Sequence, residues 1–235
     1  MDDGRIIDNL VAEAIGVFML CFVGIMAIYN LGEAESGLIG IALAHGLAIM
    51  VMVAALGHVS GGHFNPAITL GLLLGGHISV PLAAMYWVSQ LLGGLLAGWA
   101  VAAVLDSDVV ANGTPALADG VGVGAGILLE VLATFFLVLV VFGTAVDKRA
   151  PTSVYPVAIG LSITAGILAI GPLTGAALNP ARWFGPALVS GSWSDALVWV
   201  VGPLVGGVLA WAVHDYVIRP TAAEESVAES ARLAK

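Results

Sequence analysis

The sequence predicts an all-α membrane protein: six transmembrane helices plus two re-entrant half-helices, arranged as an inverted repeat. Three observations carry that expectation. Of the 235 residues, 60% are hydrophobic and only 10% are charged, a composition outside the range of soluble domains. No Asp, Glu, Lys or Arg occurs from Ser36 to Leu105, and a span needs roughly 20 apolar residues. The tripeptide Asn-Pro-Ala occurs twice, in SGGHFNPAITLG (Ser60 to Gly71) and in TGAALNPARWFG (Thr174 to Gly185). Each copy combines a loop of small residues with helix-starting residues inside a region apolar enough to sit in lipid.

Hydropathy and turn residues place spans near residues 9–29, 38–57, 81–104, 123–143, 154–170 and 196–217. The first apolar run lacks a clear small-residue cleavage pattern and is read as a retained span. The segments Pro66 to Gly75 and Pro180 to Gly191 are too short to cross. Ten helical residues reach about 15 Å, half of a hydrocarbon core of about 30 Å, so two such pieces meeting end to end make one crossing. With the N-terminus in the cytoplasm, Arg5, Lys148, Arg149, Arg219, Arg232 and Lys235 all fall on the cytoplasmic side. Only Arg182 is left over. The expected location is therefore an integral, multi-pass protein of the cell (plasma) membrane with both termini cytoplasmic. Residues 1–217 are expected to form a single transmembrane domain, and residues 218–235 an acidic cytoplasmic tail.

Two halves of the chain echo one another, repeat one over about residues 8–104 and repeat two over about 123–217. Gly46 precedes Asn65 by 19 residues, and Gly160 precedes Asn179 by the same 19. Glu13-x4-Phe18 matches Glu130-x4-Phe135, and QLLGG (Gln90 to Gly94) matches PLVGG (Pro203 to Gly207). Three spans per half is an odd number, so the second copy is inserted upside down, and the shared site lies near the midplane. Gly94/Gly98 and Gly202/Gly206 have the spacing of close helix crossings, expected inside the chain rather than between subunits. Trp87, Trp99, Trp199 and Trp211 read as lipid-interface or packing residues.

Asn is a favoured N-cap and Pro a favoured first helical residue. Asn65, Pro66, Ala67 and Asn179, Pro180, Ala181 are therefore two helix starts aimed at the membrane centre. If each Asn oxygen caps its own helix, the amide NH2 faces the lumen as a donor. The backbone leading in, through Gly61, Gly62 and His63 and through Gly175, Ala176 and Ala177, is non-helical and offers carbonyl acceptors to a wet cavity. The alternative is a pair of capped breaks buried in a bundle, which leaves Arg182 unexplained. His45 is either a hydrogen-bonded core histidine or a pore residue. Glu13 and Glu130 are either members of a proton relay or acceptors for loop backbone.

The net charge of −9 reads as a solvated acidic surface. The seven Lys and Arg form no patch, which disfavours nucleic acid. One cysteine, Cys21, supports neither a disulfide framework nor a cysteine metal cluster.

Both Asn-Pro-Ala boxes, the Arg after the second, the GHVSGGHFNP lead-in and the paired Glu13 and Glu130 resemble the major intrinsic protein family, the aquaporins and glycerol facilitators, over about residues 8–217. The resemblance implies a homotetramer in the lipid bilayer with one pore per subunit. It implies a passive channel for water and small neutral solutes such as ammonia that excludes protons and ions. It also implies no enzymatic step, no cofactor and no metal. It places the selectivity filter at His45, Ile167, Ala176 and Arg182, and makes Glu13 and Glu130 loop braces. That filter is similar to the tonoplast-type plant and prokaryotic members. Glycerol channels carry Asp where this chain has Trp183. The rivals are a glycerol or small-solute facilitator of the same family, and an ion-coupled secondary transporter, which also uses inverted repeats and broken helices.

Overall fold

The computed structural model describes residues 3–151 and 153–219. Its helices are α1 (Asp3–Leu31), α2 (Gly37–Ser60), α3 (Pro66–Leu74), α4 (Val80–Val104), α5 (Ser107–Gly113), α6 (Val123–Val141), α7 (Tyr155–Thr174), α8 (Pro180–Ser190) and α9 (Leu197–Val213). One π-helical turn extends α6 (Phe142–Val146) and another extends α9 (His214–Ile218). Among the described residues there is no strand, and six helices are long and apolar enough to cross a membrane. Most of the acidic tail, with Arg232 and Lys235, lies outside the described residues.

The helices begin and end where local chemistry dictates. Pro66 and Pro180 occupy the first position of α3 and α8, behind Asn65 and Asn179 as extended N-caps. Spans α2 and α7 run on to Ser60 and Thr174, past the hydropathy limits near 57 and 170. Each is stopped by a left-handed glycine, Gly61 (φ 91°) and Gly175 (φ 75°), whose N–H returns to Gly57 O and Gly171 O. The short helix α5 was not expected between the halves; Asp106 caps it by accepting from Val109 N at 2.8 Å.

Outward faces are apolar. Ile39, Leu43, Leu47 and Val51, one per turn of α2, are all exposed, as lipid or a neighbouring subunit requires. Inward faces carry small residues where backbones must meet. Helices α2 and α7 cross at Gly46 and Gly160, where a Cβ on either would lie 2.5 Å from the other's carbonyl oxygen. A Cβ on Gly94 of α4 would lie 2.5 Å from Ala181 O, and one on Gly207 of α9 would lie 2.6 Å from Ala67 O. Gly98 abuts Val189 of α8, Gly202 abuts Glu130, and Gly206 abuts Val131. The close crossings fall inside the chain, as the spacing predicted. Each half-helix therefore lies against the last span of the opposite half of the chain, α3 on α9 and α8 on α4.

Candidate pore and its constriction

The two half-helix starts meet at the centre. Asn65 Oδ1 accepts from Ala67 N at 2.8 Å, and Asn179 Oδ1 accepts from Ala181 N at 3.0 Å and Arg182 N at 3.3 Å. The amide groups cross over: Asn65 Nδ2 donates to Leu178 O at 2.8 Å, and Asn179 Nδ2 donates to Phe64 O at 2.8 Å. An amide NH2 carries two hydrogens, so each asparagine ties the opposite loop with one and keeps one. From the sequence alone, the whole NH2 group is expected to face the lumen.

The loops are strained and braced. Phe64 (φ 48°), Ala176 (φ 45°) and Leu178 (φ 52°) sit in the left-handed region that favours glycine. Glu13 Oε1 accepts from Ser60 Oγ (2.6 Å) and His63 N (3.0 Å), and its Oε2 from Phe64 N (2.6 Å) and Gln90 Nε2 (2.7 Å). Glu130 Oε1 accepts from Thr174 Oγ1 (2.7 Å) and Ala177 N (2.9 Å), and its Oε2 from Leu178 N (2.8 Å). Both carboxyl groups are fully buried. Of the two readings open to these acids, the geometry is that of loop acceptors.

A second tie in each half was not foreseen. Tyr86 Oη donates to Ser60 O at 2.6 Å, and Trp199 Nε1 to Thr174 O at 2.9 Å. Trp199 is 1% exposed, a packing residue that also holds a loop, whereas Trp99 is 55% exposed on the lipid-facing side. Only the first half adds a polar cluster, in which Thr69 Oγ1 meets Gln90 Nε2 (2.9 Å), His63 Nδ1 (3.1 Å) and Asn65 O (3.0 Å).

Two cavities share a neck. The inner one is narrow and is bordered by Asn65, Asn179, Gly62, His63, Ala176 and Ala177, and by an apolar wall that includes Leu137, Ile159 and Ile163. The outer one is wider, about 380 Å³, and is bordered by Thr114 and Pro115 of the loop after α5, by Gly175 and by Pro172. His45, Ile167 and Arg182 border both. Ala176 borders the inner side alone, and Gly61 neither of the two. Pro66, Ala67, Pro180 and Ala181 also stand back from both spaces, as buried helix starts. Phe64 and Leu178 border the inner space and were missed, because the sequence does not announce which loop residues turn inward. Among the described residues, no protein group donates to the carbonyls of Gly61, Gly62, His63, Gly175, Ala176 or Ala177.

At the neck Arg182 Nη2 lies 3.0 Å from His45 Nε2, and His45 Nδ1 lies 2.8 Å from Ile41 O. A guanidinium only donates, so Nε2 accepts and Nδ1 carries the ring hydrogen. Both imidazole nitrogens are thus engaged in the neutral form. Arg182 is 5% exposed, and its Nε and Nη1 find no acceptor among the described residues. Those two atoms are buried donors without a protein partner, on a residue that borders both cavities. No group of three or more metal-ligating side chains occurs among the described residues.

Known proteins match this arrangement. The chain is 45% identical over 223 residues to aquaporin TIP4-4 of Zea mays, covering 91% of this chain and 87% of the relative. It is 40% identical over 212 residues to aquaporin TIP2-1 of Arabidopsis thaliana, covering 86% and 84%. The X-ray structure of the aquaglyceroporin from Plasmodium falciparum superposes with a TM-score of 0.81 at 23% identity, over 92% of this chain and 98% of that one, a likeness of fold. Residues 3–214 match the profile of the Major intrinsic protein family, and the chain belongs to that family.

Proposed function

We propose that this integral, multi-pass membrane protein is a passive water channel. One observation carries the reading: one cavity is bordered by both asparagines, by loop residues whose carbonyls take no protein donor among the described residues, and by apolar side chains that include Leu137, Ile159 and Ile163. Water entering that lumen finds acceptors along one side only and donors at the centre, so it is held in single file without being trapped. Its relatives named aquaporins agree with that use. No step of passive conduction calls for a cofactor.

Protons are excluded by the same centre. Two half-helix N-termini, each equivalent to roughly half a positive charge, converge there and repel cations. The remaining hydrogen of each asparagine amide orients the central water, and the hydrogen-bonded wire loses its single direction. The filter is formed by His45, Ile167, Ala176 and Arg182. Its polar side donates through Arg182, and its Ile167 side offers no hydrogen bond. Water passes, and so does ammonia, which is close to water in size and hydrogen bonding. Glycerol needs a wider neck with more apolar wall and passes slowly. The transporter alternative lacks support: Glu13 and Glu130, the acids it requires, accept from loop donors and border neither cavity.

The channel works as a homotetramer in the cell (plasma) membrane with cytoplasmic termini. The exposed apolar stripes on the spans support the membrane setting, and the grouping of Arg5, Lys148, Arg149 and Arg219 at one end of the alternating helices supports the cytoplasmic placement of the termini. The deciding experiment is shrinkage of liposomes holding the pure protein after an osmotic step, with water, ammonia, urea and glycerol compared. Fast water flux of low temperature dependence, ammonia flux, slow glycerol flux and no proton flux under a pH gradient are expected. Glycerol flux rivalling water moves the protein to the glycerol facilitators, and robust proton flux refutes the channel account.

A further inference from the structure

The two halves of the pore share their loop ties but differ in one feature of construction. The loop ties coincide: Glu13 with Glu130, Ser60 with Thr174, and Tyr86 with Trp199. Behind the loop they diverge. The first half fills that space with polar groups, Thr69 bonded to Gln90 and to His63. Counting from the asparagine, the place of Thr69 falls on Trp183, and that of His63 on Ala177; Gln90 of QLLGG falls on Pro203 of PLVGG. None of these three replacements offers a hydrogen bond to the loop.

The space is filled by aromatic rings instead. Trp183 is 2% exposed and borders neither cavity. Its ring stacks on Trp199 with centroids 5.8 Å apart and planes 17° apart, and meets the edge of Trp193 at 5.4 Å. The same cluster holds Ala177, the lumen-bordering residue whose N–H Glu130 takes. Trp199 donates from that stack to Thr174 O at 2.9 Å. The indole N–H of Trp183, by contrast, has no acceptor among the described residues, so its contribution is the bulk and face of the ring.

We infer that Trp183 is a positioning residue for the constriction: stacked on Trp199, its ring holds the second loop and Arg182 from behind and so sets the width of the neck. Arg182 is its covalent neighbour, with a backbone N–H capped by Asn179 at 3.3 Å. Withdrawing the ring lets residues 176–182 relax away from Ile167 and His45, and the neck opens without loss of any lumen-bordering side chain. The inference rests on the channel reading, with Arg182 in the neck.

The test compares Trp183→Phe, Trp183→Ala and Trp199→Phe in liposomes, with water and glycerol fluxes measured on the same vesicles and the melting midpoint of each purified protein recorded. Trp183→Phe keeps a smaller aromatic face and loses the unpaired N–H with part of the ring's bulk, so a ratio of glycerol to water flux close to the wild-type value and well below that of Trp183→Ala is expected. Trp183→Ala is expected to raise that ratio by roughly 10-fold, the discrimination that about one methylene of pocket width provides. Trp199→Phe keeps the stack but loses the bond to Thr174 O, and an intermediate rise is expected. A folded Trp183→Ala protein with the wild-type ratio overturns the inference, as does a Trp183→Phe protein that matches it in glycerol flux. Should Trp183→Ala fail to fold, Trp183→Leu and Trp199→Phe decide, and an unchanged ratio in both overturns it. Wild-type vesicles without water flux would overturn the channel reading and this inference together, whereas wild-type water flux beside unchanged variants overturns the inference alone.

Discussion

Replacing Glu130 by Ala removes the group on which the second loop depends, and the cost can be worked from the geometry. Glu130 takes the N–H groups of Ala177 (2.9 Å) and Leu178 (2.8 Å) and the hydroxyl of Thr174 (2.7 Å). The hydroxyl has a second acceptor within reach, Ile170 O at 3.4 Å, and is not stranded. The two backbone N–H groups are stranded, in a segment whose Ala177 and Leu178 are 4% and 2% exposed. An unsatisfied buried donor costs roughly 1–3 kcal/mol, so the native loop loses about 2–6 kcal/mol relative to looser alternatives. Even the lower figure exceeds the ~1.4 kcal/mol that makes a tenfold change in population. The helices themselves should survive, because Asn179 still caps α8 and Gly94 still lies against it. The expected result is a folded protein, still helical by circular dichroism, whose water permeability per molecule falls at least about tenfold. Glu130→Gln, with one acceptor oxygen for two donors, falls in between. The measurement is stopped-flow light scattering on proteoliposomes matched for protein content. Wild-type water permeability and wild-type melting midpoint in Glu130→Ala would refute the brace, since two unpaired buried donors cannot be without effect.

Three further outcomes follow from the same geometry. Arg182→Val removes the donor to His45 Nε2 and the bulk of the neck, so urea and glycerol uptake should rise; an unchanged solute profile would remove Arg182 from the constriction. Mercurials should leave wild-type water flux intact, because Cys21 is 2% exposed and borders neither of the two cavities, whereas Ala176→Cys should become blockable; strong wild-type block would relocate the pore wall. On the cytoplasmic side, Arg149 donates to Asp147 Oδ2 at 2.6 Å and to Ile218 O at 3.1 Å, and its side-chain hydrogen bonds hold the Asp147 carboxyl below the usual range. A carboxyl with a lowered folded-state value stabilises above its ordinary range near about 4 and loses that effect only as pH falls further, so Arg149→Ala should lower the melting point slightly and equally at pH 6 and pH 8, against about 1 kcal/mol at most for an exposed pair.

The parts of this molecule that were legible in the sequence are those with local causes. Six apolar runs gave six spans, because burial in lipid is a property of each segment by itself. Asn-Pro gave both half-helix starts, because capping is settled within three residues. Glu13 and Glu130 were visible as acids in apolar surroundings, but a choice between relay and brace had to await the distances to backbone N–H groups. What stayed hidden depends on approach in space. The crossed asparagine ties to Leu178 O and Phe64 O join residues 113 and 115 positions apart, and no periodicity reports such a pairing. Trp199 read as a packing or lipid residue because an indole on a spanning helix gives no sign of which way it points. The polar cluster of Thr69, Gln90 and His63 left one trace, the failure of these positions to match between otherwise similar halves.

The duplicated pattern also fixes how the halves depend on one another. Each acid braces the loop of its own half, yet each asparagine donates to a carbonyl of the opposite loop, and each half-helix start is backed by a glycine from the other half: Ala181 by Gly94, Ala67 by Gly207. One half alone would therefore leave an asparagine hydrogen unpaired and a half-helix without its backing span. The two loops are locked into one object at the membrane centre, where helix starts of like polarity would otherwise push apart. A pair of donor-to-carbonyl bonds across that point, each 2.8 Å long, holds them together. The same bonds spend one hydrogen of each amide, and the one that remains is fixed in direction by the bond its partner makes. On the proposed channel reading, alignment of the central water follows from the way the halves are fastened together.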